Sequence, residues 1–283
     1  LALCSGNLPT ADAIDPAQTD ANYPQKLFNT KLYTGTGSSN ALTGVGFQPD
    51  WTWVKERGGT NDYKLTDSTR GVTKSIESNT DVAEATDSNG LTAFGADGFT
   101  VGSDAVYNNS SDTYLGWNWR ANGGSLTTNN VGAAKGDSGL TGPNSSVWTW
   151  NSGSGFSNTA SRDYIMYNFA NVEGYCKTGI YTGNASTAGV FVNTGFRPAW
   201  LMIKRANGVE SWFVMDDKRD TYNVVEGVMQ LNGGNPESTA DYDVGDFLSN
   251  GFKLRISGVG FNGAEQYIYM AFAENPFKYA TAR

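Results

Sequence analysis

A chain of 283 residues, 39% of them hydrophobic, is long enough to bury one large core or two of ordinary size. Its 20 basic residues are scattered and its net charge is −8, which argues against nucleic acid as a partner, because neutralising phosphates takes clustered Lys and Arg. No histidine occurs, so the commonest general base, metal ligand and pH switch are all missing, and no apolar run approaches the roughly 20 residues needed to span a membrane.

The remaining composition suits short strands joined by tight turns: charged residues are only 17% of the chain, aromatics 13%, and glycines number 35. The acidity is read as keeping an aromatic-rich surface soluble. In chain order, residues 1–23 carry Pro9, Pro16 and many Ala and Asp without periodicity, and are expected to form an extended arm. Leu1-Ala2-Leu3-Cys4 is too short for a signal peptide and lacks a basic region. The missing initiator Met suggests that residue 1 is not the start of translation and that the chain is a processed or partial piece of something longer.

Residues 24–122 form the first predicted unit. Trp51, Trp53 and Lys55 alternate with Thr52 and Val54, the signature of a half-buried strand. Asp81 to Ala85 is long enough for one helical turn, Asp97-Gly98 marks a tight turn, and Tyr114-Leu115-Gly116-Trp117-Asn118-Trp119 reads as the closing strand. Residues 123–162 are rich in Gly, Ser, Thr and Asn, broken by Val147-Trp148-Thr149-Trp150, and are read as a linker or as an arm packing on a neighbour.

Residues 163–283 repeat the first unit. Gly46-Phe47-Gln48-Pro49-Asp50-Trp51 returns as Gly195-Phe196-Arg197-Pro198-Ala199-Trp200, an offset of 149, and Lys55, Asp67 and Arg70 fall on Lys204, Asp216 and Arg219 at the same offset. Tyr33-Thr34-Gly35 recurs as Tyr181-Thr182-Gly183 at 148, whereas Gly98-Phe99, Tyr114 and Asn122 match Gly251-Phe252, Tyr267 and Asn275 at 153. A slowly drifting offset is what loop insertions between matched strands produce. Leu201-Met202-Ile203 is apolar on both faces, so this strand is expected to be the more deeply buried of the pair. Val224 to Gln230 is a second short helical candidate, Tyr267 to Phe272 is the second closing strand, and Asn-Gly pairs at 89, 122, 207, 232, 250 and 262 mark turns. Regular strands and turns with little helix predict an all-β chain of two tandem β-sandwiches.

Residues shared by both copies are read first as structural, because two copies diverge freely except where the fold constrains them. Asp67 with Arg70, and Asp216 with Arg219, are expected to be carboxylate–guanidinium clamps, the alternative being a ligand-binding pair. Trp148, Trp150 and Trp212 are the candidates for stacking on a sugar ring. The competing reading anchors Trp148 and Trp150 to a neighbouring subunit and puts Tyr63 and its counterpart Trp212 in core or rim packing. No catalytic residue is proposed: Glu-x-Asp-x-x-Glu is absent, Asp241-Tyr242-Asp243 has no partner Glu on the same strand, and Asp81, Glu84 and Asp87 fall in a loop or single helical turn. Hard-cation ligation by Asp241, Asp243 and Asp246, with calcium, is the alternative for the Asp-rich loop, but no metal or cofactor is expected. Cys4 and Cys176 lie in no Cys-x-x-Cys pair and are read as free thiols.

Three stretches of the second copy carry a resemblance: Gly195 to Trp200, Asp246 to Arg255, and Tyr267 to Phe277. Matching pieces of the first copy are Asn29 to Gly35, Gly46 to Trp51 and Asp67 to Gly71. Together they resemble a family of bacteriophage structural proteins common in marine and cyanobacterial phages, over residues 8–283. The resemblance implies concanavalin A-like lectin/glucanase (jelly-roll) sandwiches and a place on the outside of a virion, as a capsid decoration or fibre component without enzymatic activity. The alternatives are a lectin-like receptor- or glycan-binding domain of a tail fibre and, behind it, a glycoside hydrolase. The partners this setting implies are other virion proteins, further copies of the chain as a homo-oligomer (a trimer by comparison with phage fibres), and host surface glycans under the lectin reading.

Overall fold

The computed structural model describes residues 27–121, 140–141, 149–150, 167, 169, 171–238 and 243–274. The chain is all-β, and its two halves are sandwiches built strand for strand alike. In the first, β1 (Phe28–Thr34), β9 (Thr113–Trp119), β3 (Trp51–Glu56) and β4 (Lys64–Asp67) form an antiparallel sheet in that order. It is covered by a second sheet of β2 (Asn40–Thr43), β8 (Gly98–Val101) and β7 (Leu91–Gly95). Short pairings follow, β5 (Lys74–Ser75) with β6 (Ala85–Thr86) and β10 (Leu140–Thr141) with β11 (Thr149–Trp150).

In the second half β12 (Cys176–Thr182), β19 (Gln266–Ala273), β14 (Pro198–Arg205), β15 (Phe213–Asp216) and β16 (Met229–Gln230) form the larger sheet. The smaller is β13 (Phe191–Asn193), β18 (Gly251–Leu254) and β17 (Gly245–Leu248). Thus β1, β9, β3 and β4 correspond to β12, β19, β14 and β15, and β2, β8 and β7 to β13, β18 and β17.

The repeated Gly-Phe-x-Pro-x-Trp motif has a physical reason at its Gly, Phe and Trp positions. Gly46 and Gly195 take φ of 90° and 86°, a backbone conformation that costs a residue with a side chain. Phe47 and Phe196 then enter the cores of their own sandwiches, and Trp51 and Trp200 point to the opposite face of the larger sheet. Gly98 and Gly251 are equally constrained, since a Cβ would lie 2.0 Å from the Leu42 carbonyl oxygen in one and 2.1 Å from that of Val192 in the other. These glycines let the tight β7–β8 and β17–β18 hairpins approach β2 and β13.

Each sandwich has its own core. Tyr33, Leu42, Val54, Phe99 and Tyr114 fill the first, and Tyr181, Val192, Leu201, Ile203, Phe252 and Tyr267 the second. A third core lies between the halves, where the larger sheets meet: Phe28, Trp51, Trp53, Tyr63, Trp117 and Trp119 from the first pack with Cys176, Trp200, Met229, Leu231 and Phe272 from the second. The order of layers is therefore small sheet, large sheet, large sheet, small sheet. Trp119 and Phe272, counterparts under the repeat, touch each other at 5.8 Å between ring centroids, as residues on a twofold axis would.

Two expectations need correction. No helix forms at Asp81–Ala85 or Val224–Gln230; these segments feed β6 and β16, and the one helix among the described residues is α1 (Ala105–Asn108), capped by Asp104. The expected depth of the matched strands is also reversed. Every residue of β3 is buried, because the second half covers its Trp51–Trp53–Lys55 face while Val54 on the other face enters the core of its own sandwich, whereas in β14 Met202, Lys204 and Arg205 are only partly buried.

Candidate functional site

The polar residues shared by the two copies come together as two equivalent clusters. In each, an Asp closes the turn after β4 or β15. Asp67 Oδ1 accepts from the backbone N–H groups of Thr69 and Arg70, and Asp216 Oδ1 from those of Lys218 and Arg219. The other carboxylate oxygen takes the guanidinium Nε, at 2.5 Å for Arg70 and 2.6 Å for Arg219. A second guanidinium nitrogen donates to a strand carbonyl, that of Leu65 or of Val214. The third finds a carboxylate outside the turn: Glu84 at 3.3 Å for Arg70 and Glu237 at 3.1 Å for Arg219. Glu84 and Glu237 are themselves counterparts, at an offset of 153. Each clamp is thus Asp–Arg–Glu, and it fixes the end of the large sheet to the loop that follows it.

Their surroundings differ. Arg219 and Asp216 are wholly enclosed, and the indole N–H of Trp117, from the other half, donates to Asp216 Oδ2 at 3.1 Å. Asp67 and Arg70 face the segment leading into the second half, where the Tyr167 hydroxyl reaches Asp67 at 2.9 Å and Arg70 at 3.1 Å and the Tyr167 ring stacks on Trp51 at 4.3 Å. Burial alone would raise the Asp67 carboxyl, yet hydrogen bonds from Arg70 and Tyr167 hold it below the usual carboxylate range.

The other shared polar residues are likewise occupied inside the fold. Lys55 Nζ donates to the carbonyls of Glu56 and Gly59, and Lys204 Nζ to those of Arg205 and Gly208. Tyr33 and Tyr181 donate to the Tyr107 and Phe261 carbonyls. Asn108 and Asn262 staple three loop segments each, accepting from Thr36 or Asn184 and donating to the Gly102 and Ser38 or the Ile256 and Ser186 carbonyls.

Between the halves the chemistry is aromatic. Trp200 lies edge-on to Trp117 at 6.0 Å and to Trp119 at 5.8 Å, and Phe28 stacks on Phe272 at 5.3 Å. Phe169 fills the gap between Trp51, Trp119 and Phe272. Polar ties sit at one margin: Arg57 to Glu237 at 2.6 Å, Ser78 Oγ to the Leu231 carbonyl, and the Glu237 N–H to the Arg57 carbonyl. Among the described residues the indole N–H groups of Trp51, Trp53, Trp119 and Trp200 find no acceptor, so apart from the Trp117–Asp216 bond this face is stabilised chiefly by apolar contact.

Trp212 is exposed, at the start of β15 beside Ser211, Gln230 and Asn232; its backbone N–H donates to Asn232 Oδ1. Trp148 lies outside the described residues, as do Asp241, Cys4, the 1–23 arm and most of 123–162, and only the backbone of Trp150 is described. The acids do not gather: among the described residues no three of His, Cys, Asp and Glu sit where they could hold a metal ion. One close acid pair was not expected from the sequence. Asp87 meets Asp104, and burial first, then the hydrogen bond and charge of Asp104, raises its carboxyl. Both are tied into loops, Asp87 accepting from the Asn89 N–H and Asp104 from the Val106 N–H. Cys176 is buried in the third core, and burial pushes its thiol up to about 12.

The fold and these clusters define a duplicated all-β protein whose repeated polar residues serve its own architecture. The chain belongs to the family described as Domain of unknown function (DUF7483), whose model matches it twice, over residues 23–140 and 125–276. No curated protein and no solved structure matches it. No helix among the described residues is long and apolar enough to cross a membrane.

Proposed function

We propose that this chain is a non-enzymatic structural component of the outside of a bacteriophage particle, a capsid decoration or fibre protein. The observation that carries the reading is where the shared side chains go. The Asp–Arg–Glu clamps, both lysines and both asparagine staples, which the two copies hold in common, are taken up by internal bonds, and a cluster of tryptophans, Trp51, Trp53, Trp117, Trp119 and Trp200, joins the halves. Polar groups bonded into their own fold serve as scaffold, whereas catalytic groups are aimed at where the substrate's reacting atoms sit. The resemblance of Gly195–Trp200 and Tyr267–Phe277 to phage structural proteins supports the setting, and the family itself has no assigned function. Quantitative mass spectrometry of purified particles tests it: the chain is expected at many copies per particle, and its absence from particles overturns the reading.

A second reading has one observation in its favour. Trp212 offers an exposed ring beside the polar side chains of Ser211, Gln230 and Asn232, the combination that stacks on and hydrogen-bonds a sugar. Saturable glycan binding lost in Trp212→Ala would establish a lectin-like role. Turnover on a polysaccharide panel, lost on replacing one carboxylate, would instead make the protein a hydrolase.

A further inference from the structure

The two large sheets present equivalent faces to each other, yet they are not equally covered. Cross-strand register sorts each face into rows. The first row is Phe28, Trp119, Trp51 and Asp67 in the first half, and Cys176, Phe272, Trp200 and Asp216 in the second, and both are buried. The third row is Leu32, Leu115, Lys55 and Tyr63 in the first half and Ile180, Ile268, Lys204 and Trp212 in the second. There the halves part. Leu115, Lys55 and Tyr63 have no exposure, because the 229–237 loop of the second half folds over them: Met229 and Leu231 join the shared core and the Gly234 carbonyl lies 3.4 Å from Lys55 Nζ. The corresponding 76–84 loop of the first half touches the second through Ile76, packed against the shared core, and Ser78, whose Oγ donates to the Leu231 carbonyl, but it leaves the equivalent row of the second half uncovered. Its Val82 is exposed, and Ile180 and Trp212 remain 52% and 36% exposed, with Ile268 and Lys204 partly so.

We propose that this uncovered row, Ile180, Ile268 and Trp212 with Met202 and Met270 behind it, is the contact face for a second copy of the chain, packed strip to strip across a twofold axis. The proposal rests on the structural reading above and gives its assembly a surface. Two observations favour a second copy. The strip is continuous with an interface that already joins two versions of this same sheet face, and that interface is close to self-complementary, since the counterparts Trp119 and Phe272 meet in it. The strip is also apolar apart from Lys204, whose ammonium is held by the Arg205 and Gly208 carbonyls, so it presents no unmet charge to an identical surface.

Sedimentation velocity of the full chain at low and high micromolar concentration is the test. Ile180 is half exposed, so Ile180→Asp should fold and melt as the parent does while placing a charge in the middle of the contact. The expected result is a parent that associates with rising concentration, association weakened at least about tenfold in Ile180→Asp and Ile268→Asp, and no effect of Phe191→Asp, which puts the same charge on an exposed apolar residue of the outer sheet. A parent that stays monomeric, as it would if its own residues 122–166 covered the strip, overturns the proposal. So does association indifferent to both isoleucine variants. A chain abundant in particles whose association ignores Ile180→Asp sinks this face and leaves the structural reading standing, and a chain absent from particles that still pairs through Ile180 does the reverse.

Discussion

Replacing the clamp arginines, Arg219→Met and Arg70→Met, should give unequal losses although the two sites match atom for atom. Arg219 has no exposed side-chain surface and faces two enclosed carboxylates, Asp216 at 2.6 Å and Glu237 at 3.1 Å. Removing it leaves both buried and short of their counter-charge, a change that costs about 3–5 kcal/mol. Glu237 keeps Arg57 and Asp216 keeps the Trp117 N–H, so the lower part of that range is expected. Arg70 is 12% exposed, its Glu84 partner is 39% exposed, and Asp67 retains the Tyr167 hydroxyl, so water and Tyr167 compensate and the loss should be about 1–2 kcal/mol. Urea unfolding followed by tryptophan fluorescence measures both. If orphaned charge is the cause, Arg219→Met combined with Glu237→Gln should recover part of the loss. Equal losses at the two sites, or a larger loss at Arg70, would refute the argument from burial.

Three further outcomes follow from the same contacts. Trp200→Ala should cost about 3–5 kcal/mol, since its ring is fully buried between Phe28, Trp117, Trp119 and Phe272, and a calorimetric scan that shows no destabilisation would deny the shared core. Asp217 is buried, with Lys218 at 3.7 Å and Arg197 at 3.9 Å, and burial pushes its carboxyl up to about 6 from 3.8. The folded state therefore binds the proton more tightly than the unfolded chain, and the stability that protonation confers is present below about pH 4 and lost as pH rises through 6. Asp217→Asn should accordingly raise stability by about 2–3 kcal/mol at neutral pH and by almost nothing near pH 4, and a difference in melting temperature that does not vary with pH would show the carboxyl to be unperturbed. Cys176, enclosed and with its thiol near 12, should resist a thiol reagent in the native state and react only after unfolding, whereas fast native labelling would show that the halves separate readily.

The repeat made much of the fold legible. Offsets of 148 to 153 locate the matched strands, and the motif around Gly46 and Gly195 could be read because each residue in it has one job: a positive φ, a core ring, a ring on the far face. Alternation in Trp51-Thr52-Trp53-Val54-Lys55 correctly separates the two faces of β3 but cannot say what covers the outer one. That is why a strand buried on both sides read as half-buried, and why β14, with Leu201-Met202-Ile203 apolar on both faces, read as the deeper one although part of its outer face is bare. The aromatic content that looked like surface is divided between the two sandwich cores and the seam between the halves, which takes Trp51, Trp53, Trp117, Trp119 and Trp200. The clamps were visible as Asp-x-x-Arg at a fixed offset, but Glu84 and Glu237 were not, because they lie beyond loop insertions where the offset has drifted to 153. Asp104 was missed as the partner of Asp87 for a similar reason: only the closing of two loops brings them together.

The central claim is that this chain is structural material of a phage exterior, and cryo-electron microscopy of the particles tests it most directly. The account predicts repeated external density in which two stacked sandwiches fit in their four-layer order, with the Ile180 strip turned toward a neighbouring copy. Particles whose external density has no place for the chain would contradict it.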